Sequence, residues 1–383
     1  MSKRRVVLCS PDRGQVYDGR TLDARGVGGG ITARLSMLGA LAAEGHDVTA
    51  YVNTAERVVH AGVQYLPLDE LSRIDTEILI AMSTGGFSFS PLRSVPINAA
   101  LRIVWVQGVP KPSDLDVVAP DFVYAASNFL RRVCIERWGL PASRLFVCYN
   151  GLRQEAFEEA EARGIRRDPF GMAYIGPPEK GLAASLEVLR LLRIADARFH
   201  LDIFGGGRLW GRGDEAPAPE PGLTFHGMLG QAALVPRLFE YEYLLAPQAP
   251  HMEEGFGIAV QEAKRAGMIA IVSEVGAFAE LMRHGQDGFL VTEPHDTAAC
   301  HDRMAQLILE LSRDPDRRAR VRANALGTPW SWTTSARTWT SHWDYVLGER
   351  GAASTGGFLD LPDGRHNETT GEFIPAAYPS GPS

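Results

Sequence analysis

Two glutamates are the residues whose type and spacing most directly suit chemistry on a hydroxyl-rich ligand. The run Glu254-Gly255-Phe256-Gly257-Ile258-Ala259-Val260-Gln261-Glu262 separates two carboxylates by seven residues. Upstream, Leu244-Leu245-Ala246-Pro247 predicts a strand ending in a loop; downstream, Ala263-Lys264-Arg265-Ala266-Gly267 predicts a helix end. Gly255-Phe256-Gly257 then forms the loop-to-helix junction, where free N–H groups point outward and favour an anionic or hydroxylated ligand. Glu254 sits before the helix and Glu262 two turns along it, so both can face one cleft. Each carboxylate accepts several hydrogen bonds, which suits sugar and ribose hydroxyls. A solvent-facing helix start with favourable dipole charges has the same spacing, and spacing alone does not separate the two.

A second candidate is Gly28-Gly29-Gly30-Ile31-Thr32-Ala33, a loose G-x-G-x-x-A pattern opening a helix. N–H groups at such a start can cradle phosphate, and glycines allow close approach. A dinucleotide fingerprint needs the glycines directly after the first strand, whereas Pro11–Val27 intervenes. It also needs an acidic residue closing the second strand, which here ends in Asn53-Thr54. A phosphate- or acceptor-binding loop and a plain structural loop are the readings that remain.

The elements that position these residues alternate from the start. Strands are predicted at Arg5–Ser10, Asp47–Asn53, Ile78–Met82, Arg102–Gln107, Phe122–Ala126 and Phe146–Tyr149, with a helix over Ile31–Glu44 whose leucines recur at helical spacing. The pattern begins again at Gly171–Ile175, Phe199–Phe204, Leu223–His226, Tyr243–Ala246, Ile269–Ser273 and Gly288–Val291. Helices Leu182–Ile194, Ile258–Ala266 and Thr297–Asp314 fill the gaps. Strands separated by helices imply parallel sheets, so the chain reads as two consecutive α/β units joined near the charged stretch Glu158–Asp168. Gly348–Ser383, rich in Gly, Pro, Ser and Thr, reads as a disordered tail.

Composition narrows the class further. The chain has 383 residues, 45% of them hydrophobic and 22% charged, with a net charge of −7. That excludes collagen-like, coiled-coil and wholly disordered chains, and mild acidity argues against a nucleic-acid partner. No run approaches the ~20 apolar residues of a membrane span. The basic start leads into an apolar run too short for a signal-peptide core. The four cysteines are scattered, as buried thiols of a reducing compartment would be, which points to the cytoplasm. The charge is uneven: residues 1–165 carry 18 Lys+Arg against 18 Asp+Glu, and residues 166–383 carry 21 against 28. An acidic half that binds a diphosphate needs local donors.

Taken in order, the motifs resemble the retaining, family-4 type of GT-B glycosyltransferases (glycosyl transferases group 1). Besides Glu254–Glu262, the matching landmarks are Gly28–Gly45 with His46-Asp47-Val48, Ala126-Ser127, Tyr149-Asn150-Gly151 with Phe157, and Ala173-Tyr174-Ile175-Gly176 with Glu179-Lys180-Gly181. Further along come Ile203–Gly207, Phe225-His226-Gly227, Val275-Gly276 with Glu280-Leu281, and His284–Val291. The resemblance spans about residues 1–345. It implies an α/β GT-B fold: two Rossmann-like domains facing a cleft, with residues 1–160 as acceptor domain and 161–330 as nucleotide-sugar domain. Residues 331–347 would be a helix packing back on the first domain, and 348–383 the tail.

The resemblance also implies roles. Glu254, helped by the N–H groups of Gly255, Phe256 and Gly257, contacts donor-sugar hydroxyls; Glu262 holds the ribose. Lys180 neutralises the leaving diphosphate, Gly29 and Gly30 approach it from the first domain, and Met228 lies beside the base. The donor is a nucleotide-diphosphate sugar, with no covalently bound cofactor and no metal. The acceptor is a glycan, lipid-linked or small-molecule hydroxyl, selected through Pro11–Val27 and Ser83–Ser90. Arg131, Arg132 and Arg137 on a predicted helix Asn128–Trp138 suit peripheral contact with the inner face of a membrane, but a solvated helix face is the favoured reading.

Two departures stand out. Gly176 is followed by Pro177-Pro178 where the family usually carries an arginine, and Arg208 is the candidate replacement. Gln107 stands where many members place a histidine near the donor sugar; it can hydrogen-bond a hydroxyl but cannot carry a proton. Another GT-B activity (epimerase or phosphorylase) and a non-catalytic scaffold are the alternatives.

Overall fold

The structure, a computed structural model, describes residues 3–82, 88–207, 216–348, 354–355 and 357–376. Tertiary contacts divide the chain into two units. The described residues within 1–21, 30–151 and 330–377 form the first, and those within 22–29 and 152–329 the second. The chain thus leaves its first unit at Gly151, ahead of the predicted charged junction. The difference has a simple cause: Gln154–Glu161 is a helix, with Phe157 and Ala160 on its buried face.

The first unit is built on a sheet ordered β3-β4-β2-β1-β5-β6-β7-β8. Its strands are Arg5–Cys9 (β1), Asp47–Val52 (β2), Val58–His60 (β3), Val63–Pro67 (β4), Ile74–Met82 (β5), Ile97–Val106 (β6), Phe122–Ala125 (β7) and Leu145–Val147 (β8). All pairings are parallel except β3 with β4. The apolar run at the end of β5, Ile78–Met82, is fully buried, as expected for a parallel strand covered on both faces. Strands β3 and β4 escape the sequence reading because they are short and follow one another without a helix.

Helix Trp332–Val346 belongs to this unit. Ser331 caps it by accepting from Thr334 N at 3.1 Å. Its Trp339 ring packs edge-on to Trp105 and Tyr124, at centroid distances of 4.8 and 5.0 Å. His342 Nδ1 lies 2.5 Å from the Tyr124 hydroxyl, and Asp344 accepts from the buried Arg4 at 2.7 Å. An aromatic-dense segment is here a core element rather than a sugar-stacking surface.

The residues expected to be a disordered tail are instead partly a small antiparallel sheet: Ser354–Thr355 (β15), Phe358–Leu361 (β16), Gly364–Asn367 (β17) and Phe373–Pro375 (β18). Strands this short leave no periodicity to read. Specific contacts compensate. Asn128 donates to Phe373 O at 2.8 Å and accepts from Phe373 N at 3.0 Å. The Phe373 ring is 1% exposed and meets Tyr149 at 5.1 Å. Arg131 donates to Thr370 O at 2.7 Å, so one of the three arginines read as membrane-facing serves this sheet.

The second unit has an all-parallel sheet ordered β11-β10-β9-β12-β13-β14. The strands are Asp168–Ile175 (β9), His200–Phe204 (β10), Leu223–Gly227 (β11), Tyr241–Ala246 (β12), Ile269–Ser273 (β13) and Phe289–Val291 (β14). Leu189, Leu192, Ile308 and Leu311, from helices Leu182–Ala195 and Ala298–Arg313, cover one face against Leu201, Ile203, Tyr243 and Ile271. Strand alternation turns Asp202 to the other face. There it accepts from His226 Nε2 at 2.6 Å and Tyr241 at 2.7 Å. Burial raises its pKa, but these bonds and that from His200 outweigh burial and hold it down at about 2.

Removing the Phe373 ring tests whether the C-terminal strands matter to the fold. Phe373→Ala is expected to lower unfolding stability by on the order of 3 kcal/mol, the usual cost of emptying a buried aromatic site. Urea denaturation followed by tryptophan fluorescence reads this directly; a disordered tail would give no change.

Candidate functional site

In an open α/β sheet, ligands bind beyond the carboxyl ends of the strands where the order reverses. In the second unit that point lies between β9 and its neighbours, β10 on one side and β12 on the other. Lys180 follows β9, on a single turn Pro178–Lys180 that leads into helix Leu182–Ala195. Glu254 follows β12, on the loop leading into helix Ile258–Arg265. The two side chains meet: Lys180 Nζ is 2.5 Å from Glu254 Oε2, and both are partly exposed.

Backbone bonds hold both residues. Ala249 N donates to Lys180 O at 2.9 Å, and Ala277 N donates to Glu254 O at 2.9 Å. The turn before Lys180 is tied by the buried Tyr174 hydroxyl, which donates to Pro177 O at 2.6 Å. Gln248 reaches the same Glu254 oxygen at 3.4 Å, a contact that no local pattern signals. Gly257, at φ +78°, occupies the left-handed conformation that starts the helix. A Cβ there would overlap the Phe278 ring and stand 3.2 Å from Glu254 Cγ, so two constraints select glycine.

Gly255, Phe256 and Gly257 form the junction into the helix, with Gly257 at its start; all three are buried, the Phe256 ring at 2% exposure. Glu262 is also buried, at 6% exposure. Burial pushes its carboxyl up to about 7, opposed by a hydrogen bond from Gln231 and by the charge of Arg153. Gln231 Nε2 donates to Glu262 Oε1 at 2.6 Å. Two turns of helix therefore separate a partly exposed carboxylate engaged by a lysine from a buried one engaged by an amide.

Two residues along, Lys264 donates to Asp287 Oδ2 and to Leu281 O, each at 3.1 Å. This pair is fully buried and fixes the helix that carries Glu262. Met228 is partly exposed at the end of β11. The neighbouring His226 ring is stacked on Phe204 at 4.7 Å.

The remaining expected residues are distributed as follows. Gly29 begins helix Gly29–Ala43 and is counted with the second unit, whereas Gly30 belongs to the first. A Cβ on Gly29 would meet nothing within 4 Å, so packing does not demand a glycine there. Gln107, in the first unit, exchanges reciprocal bonds with Asn150: its Nε2 donates at 3.0 Å and its Oε1 accepts at 2.7 Å. Its amide thus links the ends of β6 and β8. Arg208 and residues 83–87 of the expected acceptor loop lie outside the described residues. Among the described residues, no group of three or more His, Cys, Asp or Glu could hold a metal ion, and no helix is long and apolar enough to cross a membrane. The four cysteines are buried and not disulfide-bonded.

Residues 170–310 match the family described as Glycosyl transferases group 1, so the second unit carries a domain of that family. The chain is 31% identical over 183 residues to the GDP-mannose:cellobiosyl-diphosphopolyprenol alpha-mannosyltransferase of Xanthomonas campestris, covering 46% of each chain. It is 27% identical over 205 residues to the phosphatidyl-myo-inositol mannosyltransferase of Mycobacterium tuberculosis, covering 52% of each. The chain thus spans about half the length of these relatives. Among solved structures, sucrose-phosphate synthase from Thermosynechococcus elongatus superposes with a TM-score of 0.65 at 15% identity, over 90% of this chain and 100% of that one. The fold is GT-B.

The protonation of Glu262 gives a pH prediction. Its folded-state pKa lies above the ordinary 4.5, so the folded state holds the proton more tightly than the unfolded chain. Stability linked to this group is greatest below pH 4.5 and falls as pH rises towards 7, by on the order of 3 kcal/mol at ~1.4 kcal/mol per pKa unit. Glu262→Gln removes that slope. The variant is expected to exceed the wild type in melting temperature above pH 7 and to match it near pH 4.

Proposed function

We propose that the protein is a retaining glycosyltransferase that moves a sugar from a nucleotide-diphosphate sugar to an acceptor hydroxyl. The observation that carries this reading is the Lys180–Glu254 contact at 2.5 Å, beyond the strand ends where a ligand is expected. A cation suited to a diphosphate and an anion suited to sugar hydroxyls neutralise one another there. The donor satisfies both at once: its diphosphate takes Lys180 and the N–H groups that open helix Leu182–Ala195, and its sugar hydroxyls take Glu254. Glu262 receives the ribose. Gly29 approaches the diphosphate, and Met228 borders the base.

The reaction forms a bond from the acceptor oxygen to the anomeric carbon and breaks the bond from that carbon to the phosphate oxygen. The acceptor proton passes to the departing diphosphate on the same face, which preserves configuration. Lys180 stabilises the charge that develops as the diphosphate leaves. Nothing in this scheme requires a metal or a bound cofactor. Pro177-Pro178 leaves Lys180 the cation of this turn, and we assign the second phosphate contact to Arg208.

The names of the two mannosyltransferases support GDP-mannose as the first donor to try and a lipid-linked glycan or lipid as the first acceptor class. Action on such an acceptor would place the protein at the inner face of a membrane as a peripheral protein.

A donor-hydrolysis and transfer screen with GDP-mannose and UDP- and dTDP-sugars tests the reading. Glu254→Gln and Lys180→Met are each expected to lower kcat/KM by about 100-fold or more, the scale of losing one preorganised charged contact to the transition state. Wild-type-like rates in Glu254→Gln would remove the site assignment. Nucleotide binding without turnover in the wild type would favour a non-catalytic scaffold.

A further inference from the structure

Gln231, the first residue of helix Gln231–Leu238, is an internal link that the proposed mechanism leaves unused. Its Nε2 donates to Glu262 Oε1 at 2.6 Å, and its Oε1 accepts from Arg153 Nη1 at 3.3 Å. The orientation of this amide is fixed by chemistry: a guanidinium can only donate, so the carbonyl must face Arg153 and the NH2 must face the carboxylate. Arg153 Nη1 donates in turn to Asp23 Oδ1 at 2.7 Å. The result is a chain, Asp23–Arg153–Gln231–Glu262, drawn from four separate stretches of sequence.

The far end of the chain is anchored by close backbone packing. Asp23 and Gly26 belong to the segment Leu22–Gly29, which joins the second unit although it precedes it in sequence by more than a hundred residues. A Cβ on Gly26 would lie 2.7 Å from Met228 Cβ, and one on Gly230 would lie 2.7 Å from Asp23 O. The segment is therefore seated against Met228–Gly230, directly before Gln231. At the near end, Gln231 occupies only one carboxylate oxygen.

We propose that Gln231 is a positioning residue for the donor, holding Glu262 Oε1 so that Oε2 is presented to the nucleotide ribose, with Arg153 and Asp23 holding Gln231. The proposal rests on the assignment of Glu262 to the ribose. A buried carboxylate with a free rotamer would spend part of its binding capacity on being oriented; one already tethered does not. The nearby segment Leu22–Gly29 thereby becomes part of the donor site without touching the sugar.

The test uses the full chain and calorimetric titration with GDP and 2′,3′-dideoxy-GDP, with UDP and its dideoxy form as a second pair. The wild type is expected to prefer the hydroxylated nucleotide by about tenfold or more, as loss of a hydrogen bond to a charged group implies. Gln231→Leu should lose most of that preference: weaker binding of the hydroxylated nucleotide, unchanged binding of the dideoxy form, and a raised donor KM at unchanged kcat. Arg153→Met, farther from Glu262, should show the same pattern at about threefold and covers the case in which Gln231→Leu fails to fold. A preference retained in both variants, or an equal loss on both nucleotides, overturns the link while leaving Glu262 at the ribose. A wild type that binds neither nucleotide, or binds both forms equally, overturns the link and the ribose assignment together.

Discussion

The contact between Lys180 and Glu254 depends on one topological fact: β9 and β12 are neighbours. Seventy-four residues separate the two side chains, and the chain between them builds β10, β11 and two helices before returning. The parallel arrangement brings each strand back to the same edge, and the reversal of order at β9 leaves room there that packed crossover helices would otherwise fill. With this neighbour relation the loops after both strands open towards one place. An ordinary ion pair of this exposure adds little to stability. Its value in the proposed mechanism is chemical, because the pair keeps opposite charges beside one another where the proposed donor would bring both an anion and hydroxyls.

Glu262 represents the opposite balance. Burying a carboxylate is unfavourable, and the Gln231 hydrogen bond recovers only part of the loss, as the upward pKa shift records. Such a group persists because surrounding structure holds its helix in place. The buried pair between Lys264 and Asp287 does this from the same helix, and removal of either partner would strand the other charge. Under the proposed assignment of Glu262 to the ribose, stability is thus held back at a point where the donor would bind.

How much of this was legible in the sequence depended on the length and repetition of each signal. The strand Ile269–Ser273 coincides with its predicted bounds, because a run of buried apolar residues between a glycine turn and a polar exit has few other readings. Helix Leu182–Ala195 was found to within one residue. Val58–His60, Val63–Pro67 and the C-terminal strands were missed, since two to five residues carry no period. The bonds between Gln107 and Asn150 were not legible; nothing local announces a partner forty-three residues away. Gln231, Gln248 and Arg153 escaped for the same reason. Amides and arginines are common on surfaces, and only their long-range partners distinguish these.

The sequence by itself determined the class of fold, the alternation of strands and helices, and the positions of the two glutamates and the lysine on which the proposed site is built. These rest on local physics: burial periodicity, glycine where the backbone must turn, and charge beside helix starts. Tertiary structure alone decided which carboxylate is partly exposed and which is buried, that Gly255–Gly257 is buried, and that the strands Phe358–Leu361, Gly364–Asn367 and Phe373–Pro375 form a sheet fastened to Asn128 and Tyr149. It also decided that the segment Leu22–Gly29 lies with the second unit. Burial and hydrogen-bond partnership are properties of neighbours brought together by strand order, and strand order is not a local quantity. The carboxylates at 254 and 262 are chemically identical in the sequence; the positions of Lys180 and Gln231 make them different.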